Sequence, residues 1–136
     1  MATYNKFQPW VEYLVEGVNC GSDTFKVALV NSPAPTATNG VLGDLTTVST
    51  TNLDTVTLVT ASSSQSGGTF KLDFNDLTMT ASGSVGPFQY VVIYDDTVTG
   101  DPLVAWFDYG SSITMGSGDT FTLTFDGTNG LFTVGP

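Results

Sequence analysis

Two continuously apolar runs, FQYVVIY (88–94) and LVAWFDY (103–109), lie only eight residues apart, joined by DDTVTGDP (95–102). A short apolar run bounded by turn residues is the pattern of a strand buried on both faces. The Gly and Pro of the connection make it a turn, so the two runs pair as a central hairpin. A hairpin buried on both faces needs further layers above and below it. That requirement constrains the chain more than any other feature.

The remaining segments have the pattern to supply those layers. TFKVALV (24–30) sets Phe25, Val27 and Leu29 against Lys26, Ala28 and Val30. TFKLDF (69–74) sets Phe70, Leu72 and Phe74 against Lys71 and Asp73. LTMTA (77–81) and DTFTLTF (119–125) repeat the alternation with Leu77 and Met79, then Phe121, Leu123 and Phe125. Period-two alternation marks antiparallel strands with one buried face. TVTLVT (55–60) and LFTV (131–134) are weaker strands of the same kind, and FDGTNGLF carries the Gly and Asn of a hairpin turn. The expectation is one all-β domain over residues 1–136. It is an antiparallel β-sandwich or jelly roll of about eight strands with one short N-terminal helix.

The helix is expected over about residues 6–19. Phe7, Trp10, Val11, Leu14, Val15 and Val18 make one stripe at helical spacing, with Asn5 as cap, Pro9 in the first turn and Gly21 as stop. Such a stripe either closes one end of the β core or docks on a neighbouring subunit. ASSSQSGG (61–68) reads as a flexible hairpin tip. The stretch from about 31 to 54 is longer than most loops of a compact domain and reads as an arm that orders against a partner.

Charge narrows the function. Thirteen acids stand against Lys6, Lys26 and Lys71, Arg is absent, and the net charge is −10. Phosphate recognition needs Lys and Arg, so nucleic acid and anionic membrane surfaces are poor partners. Without His, the Ser-His and Cys-His nucleophile pairs and imidazole zinc sites are unavailable. Cys20 is the single cysteine and cannot form an intramolecular disulfide. No basic leader precedes an apolar stretch, and no apolar run approaches the ~18 residues of a membrane span, so a soluble, cytosolically made protein is expected.

Asp95, Asp96, Asp101 and Asp108 are the remaining chemical candidates. Paired carboxylates run glycoside hydrolysis, but aspartates beside Gly100, Pro102 and Gly110 suit turns, where their side chains bond nearby backbone. No enzyme activity and no cofactor are expected. Asp95, Asp96 and Asp101 could also offer three side chains to a calcium ion, although they do not follow the twelve-residue calcium-loop spacing. A calcium-assisted sugar site would then draw its stacking platforms from Tyr90, Tyr94, Trp106 or Tyr109, all of which lie in apolar strands suited to the core. For protein contacts the candidates are Phe7, Trp10 and Tyr13 on the helix, and the arm from Pro33 and Pro35 to Asp44.

Five stretches carry a family resemblance: MATYNKFQPWVEYLVEGVN, DTFKVALVNSPAPTATN, GPFQYVVIYDDT, DPLVAWFDYGSSIT and FTLTFDGTNGLF. Together they span nearly the whole chain, which resembles a family of small virion structural proteins of tailed bacteriophages. The family offers no catalytic motif to transfer. The resemblance implies a virion structural protein, and its small size and β-rich style point to a capsid decoration (cement) protein made in the host cytoplasm and seated on the outer head surface. Its partner would be the major capsid protein, and it would sit as a dimer or trimer on capsid symmetry axes. A charge of −10 favours the outside, because packaged DNA would repel it. A tail, baseplate or head-tail connector component is the alternative, and the calcium-assisted sugar binder the third.

Overall fold

The structure, a computed structural model, describes residues 2–135. In chain order it runs β1 (Thr3–Lys6), α1 (Trp10–Glu16), β2 (Phe25–Val30), β3 (Thr47–Val48), β4 (Thr60–Ser66), β5 (Thr69–Phe74), β6 (Leu77–Thr80), β7 (Val85–Asp95), β8 (Leu103–Met115), β9 (Thr120–Leu123) and β10 (Phe132–Val134). The protein is therefore mostly β, in several antiparallel sheets with one α-helix. Ten strands form among the described residues, rather than about eight.

The central hairpin forms as expected. β7 and β8 pair antiparallel inside a five-stranded sheet of order β1-β8-β7-β2-β3. Val91, Val92 and Ile93 on β7, and Leu103, Val104 and Ala105 on β8, are completely shielded from solvent. Consecutive residues point to opposite faces, so both faces of the hairpin are covered.

The alternating segments build two smaller sheets, β10-β5-β4 and β6-β9. β5 and β6 are separated only by Asn75 and Asp76, while β9 and β10 are separated by residues 124–131. The two pairs run side by side around this excursion, with Leu77 opposite Leu123 and Leu72 opposite Phe132. Asp76 pins the crossing by accepting from the Phe125 N–H at 2.9 Å. The alternating faces bury Leu72, Phe74, Met79 and Leu123, and aromatic contacts such as Phe25–Phe74 and Phe74–Phe125 join them into one core.

Five expectations need correction. The helix occupies Trp10–Glu16, not 6–19, because Thr3–Lys6 pair with Asp108–Ala105 as an edge strand. Asn5 lies in that strand and donates to the Thr3 carbonyl instead of capping the helix. Phe7 and Trp10 sink into the core, while Val11 and Val15 of the expected stripe face solvent. The helix is only two turns long, so one side chain, Trp10, anchors it.

The segment 31–54 packs on its own chain. The Gln8 N–H donates to Ala37 O, Leu42 N–H to Asp101 O and Leu103 N–H to Gly40 O, and β3 adds to β2. These bonds satisfy the backbone donors and acceptors of an arm that would otherwise need a partner. Finally, the serine run of 61–68 is strand β4. Only Gly67 and Gly68 turn, both with positive φ (59° and 86°), the conformation of a tight hairpin that glycine adopts without strain.

Candidate functional site

The aspartates of the β7–β8 turn do different jobs. Asp95 closes β7 and accepts the Thr97 and Val98 N–H groups on Oδ1, at 2.9 and 3.3 Å, the usual turn role of an aspartate. Asp96 points outward and pairs with Lys26 at 3.1 Å. Asp101 takes a left-handed φ of 53°, which aspartate tolerates, and its carbonyl accepts from Leu42. Asp108 lies in β8 opposite Tyr90, away from the turn, where Oδ1 accepts from Gly110 N–H and Gln89 Nε2 and these bonds lower its pKa. Asp95, Asp96 and Asp101 thus do not converge as a calcium site. Among the described residues no group of three or more His, Cys, Asp or Glu side chains comes together to hold a metal.

What sets Asp95 apart within the turn is the environment of its carboxyl. Asp95 is fully buried, and its Oδ2 has no donor. The carboxyl of Asp23 faces it from the loop before β2. Neither carboxylate can donate to the other, so the pair is joined only when one of them is protonated. Burial first, and then the Asp23 contact, push the Asp95 carboxyl up to about 6. Asp23 is held in place by the Asn19 N–H at 3.0 Å, and the same loop docks on the turn through Thr24 N–H to Thr97 Oγ1 and Asp96 N–H to Thr24 O. Cys20 is buried beside the pair, and burial together with the Asp95 and Asp23 charges pushes its thiol up to about 11. A thiol in that state is a poor nucleophile.

The expected contact residues divide. Phe7 packs on Trp106 at 4.5 Å between ring centroids, and Trp10 packs on Phe25 and Phe132. Both, with Pro35, are core residues and offer no surface to a partner, a correction that follows from the short helix and the docked arm. Tyr13 is half-buried against the core. Pro33 and Asp44 are exposed, and Asp44 caps its own loop by accepting from Gly40 and Val41 N–H. Of the candidate stacking aromatics, Trp106 is buried and Tyr90 and Tyr94 are half-buried on central β7. Only Tyr109 borders an open space.

That space is a groove. β1 is the free edge of the five-stranded sheet, and the β9–β10 crossing is the free edge of the smaller sheets. Between them lie two adjoining hollows of about 370 and 570 Å³, which share Phe107, Thr124, Phe125 and Asp126 in their walls. Tyr4 forms the outer wall, edge-to-face on Phe107 at 5.7 Å, with Phe132 and Leu131 opposite and Tyr109 at the far end. Nothing local in the sequence marks this set: Tyr4, Phe107, Phe125 and Phe132 come from four separate segments and meet only because two sheet edges are left unpaired side by side.

Compared with protein-family models, curated proteins and solved structures, the chain finds no match.

Proposed function

We propose that this protein is a virion structural protein of a tailed bacteriophage, an antiparallel β-sandwich that decorates the outer surface of the assembled head. The observation that carries the reading is the distribution of charge. Lys26 is taken up by Asp96, and Lys71 donates to the Gly127 carbonyl at 3.0 Å, so two of the three cations are engaged on the protein itself. What the surface offers is acidic, rich in Thr and Ser, and unsuited to packaged DNA. The resemblance of five ordered stretches to small phage virion proteins points the same way. Binding only the assembled shell stabilises it by mass action, and many identical copies multiply the effect. The major capsid protein is then the partner, with dimers or trimers of this chain on the symmetry axes.

Purified protein added to expanded, DNA-filled heads should bind saturably, on the order of hundreds of copies per particle, and raise the melting temperature of the shell. A handful of copies per virion would instead place it in the tail, baseplate or connector. Absence from purified virions defeats both placements.

A further inference from the structure

We infer that the groove between β1 and the β9–β10 crossing binds a neutral saccharide. Its wall residues carry a single charge, Asp126, and that carboxylate is spent on its own turn. Oδ1 accepts from Thr128 N–H at 2.8 Å and Asn129 N–H at 3.3 Å, and Oδ2 accepts from Asn129 Nδ2 at 3.0 Å. Among the described residues no cation lines the two hollows, and a protein of charge −10 repels anions. The occupant that fits is uncharged.

It must also be amphipathic. One side of the groove is aromatic: Tyr4 is 42% exposed at the sheet edge, and Phe107 is held behind it between Tyr4 and Phe125. Rings locked in this way lose little freedom on binding. The other side is made mostly of hydroxyls and amides, with one charge, Lys71, whose ammonium is spent on the Gly127 carbonyl. Asn129 and Thr133 line the aromatic hollow and also a shelf of about 500 Å³ bearing Ser62, Ser64 and Ser66. A lipid chain gains nothing from such a shelf. A sugar presents C–H groups on one face and hydroxyls around its rim, so it uses both surfaces together. The hollows fall within the ~300–1,000 Å³ typical of small-ligand sites, room for about two or three sugar rings. The inference does not rest on the decoration reading, so it can be tested on the isolated protein.

The test is a ¹H–¹⁵N NMR titration of the full chain with cellotriose, maltotriose and chitotriose, each up to about 10 mM. At least one trisaccharide should give saturable shifts centred on Tyr4, Phe107, Asn129 and Thr133. Tyr4→Ala, which removes an exposed platform, and Thr133→Val, which removes one hydroxyl with little change of shape, should each weaken binding about fivefold. Val15→Ser, at an exposed helix position outside the groove walls, should leave it unchanged. The inference is overturned if none of the three sugars gives saturable shifts, if both groove variants stay folded and bind as the parent does, or if n-octanol fills the groove while the sugars do not.

Discussion

Replacing Asp95 by Asn tests the carboxyl pair directly, because it leaves the shape of the site alone and removes only its charge. In the folded protein Asp95 holds its proton up to about pH 6, against an ordinary value of 3.8. Each tenfold change in proton affinity is worth ~1.4 kcal/mol, so ionising Asp95 costs the folded state about 3 kcal/mol at pH 8. The sign follows from a folded value raised above the unfolded one. The contribution to stability is complete below pH 3.8, is lost as pH climbs through about 6, and is flat beyond. In the variant the amide oxygen still accepts from Thr97 and Val98, while the NH₂ takes the place of the donorless Oδ2 and donates to Asp23. A neutral acceptor is weaker than a carboxylate by about 1 kcal/mol, which leaves a net gain of about 2 kcal/mol at pH 8. At pH 4 most of the gain should vanish, since Asp95 is then protonated already. Urea unfolding of both proteins at the two pH values gives the comparison. Glu12→Gln, an equal change of charge on the exposed helix surface, is the control and should show no such gain. An Asp95→Asn protein no more stable than the parent at pH 8, or with the same advantage at both pH values, would refute the raised pKa of Asp95.

Two further substitutions probe the fold. Trp10→Ala should cost about 3–5 kcal/mol in denaturant unfolding, since the ring is the sole fully buried anchor of α1 and touches both Phe25 and Phe132. For the same reason, deletion of residues 1–18 should unfold the protein, seen as loss of the cooperative melt, and not merely remove a docking element. Gly130→Ala should destabilise by at least ~2 kcal/mol: the position has φ +68°, and a Cβ there would stand 2.5 Å from the Leu72 carbonyl oxygen. A melt of Gly130→Ala within a degree of the parent would contradict the close crossing of β5 and β10.

Much of the β architecture could be read along the chain. The apolar runs became β7 and β8, and the alternating runs became β2, β5, β6 and β9; β6 keeps to the one buried face that its period marked out, whereas β2 also buries Ala28 and Val30 and β5 also buries Asp73. The turn role of Asp95 and Asp101 was equally legible, since it depends on neighbours two or three residues away. Strands without an apolar signal were not. TYNK and the serine run of β4 are edge strands, held by backbone bonds to β8 and β5, so their side chains carry no pattern. The helical stripe misled for a related reason: periodicity describes what a segment can do in isolation, and pairing of β1 with β8 took its first turn away.

The site belongs to tertiary structure. Asp23 and Asp95 are unremarkable as separate residues, and each has the composition of a turn. Folding buries Asp95 and sets it against a second carboxyl, and burial first, then that contact, raises its pKa. Tyr4, Phe107, Phe125 and Phe132 likewise look like four ordinary core aromatics. They become the walls of a groove because β1 and the β9–β10 crossing end their sheets side by side with no strand between them. Local pattern decides which face of a strand is apolar, because that depends on geometry repeated every two residues. Which apolar face stays open, and which acid loses its water, depends on long-range contacts between sheet edges and loops that no local period records.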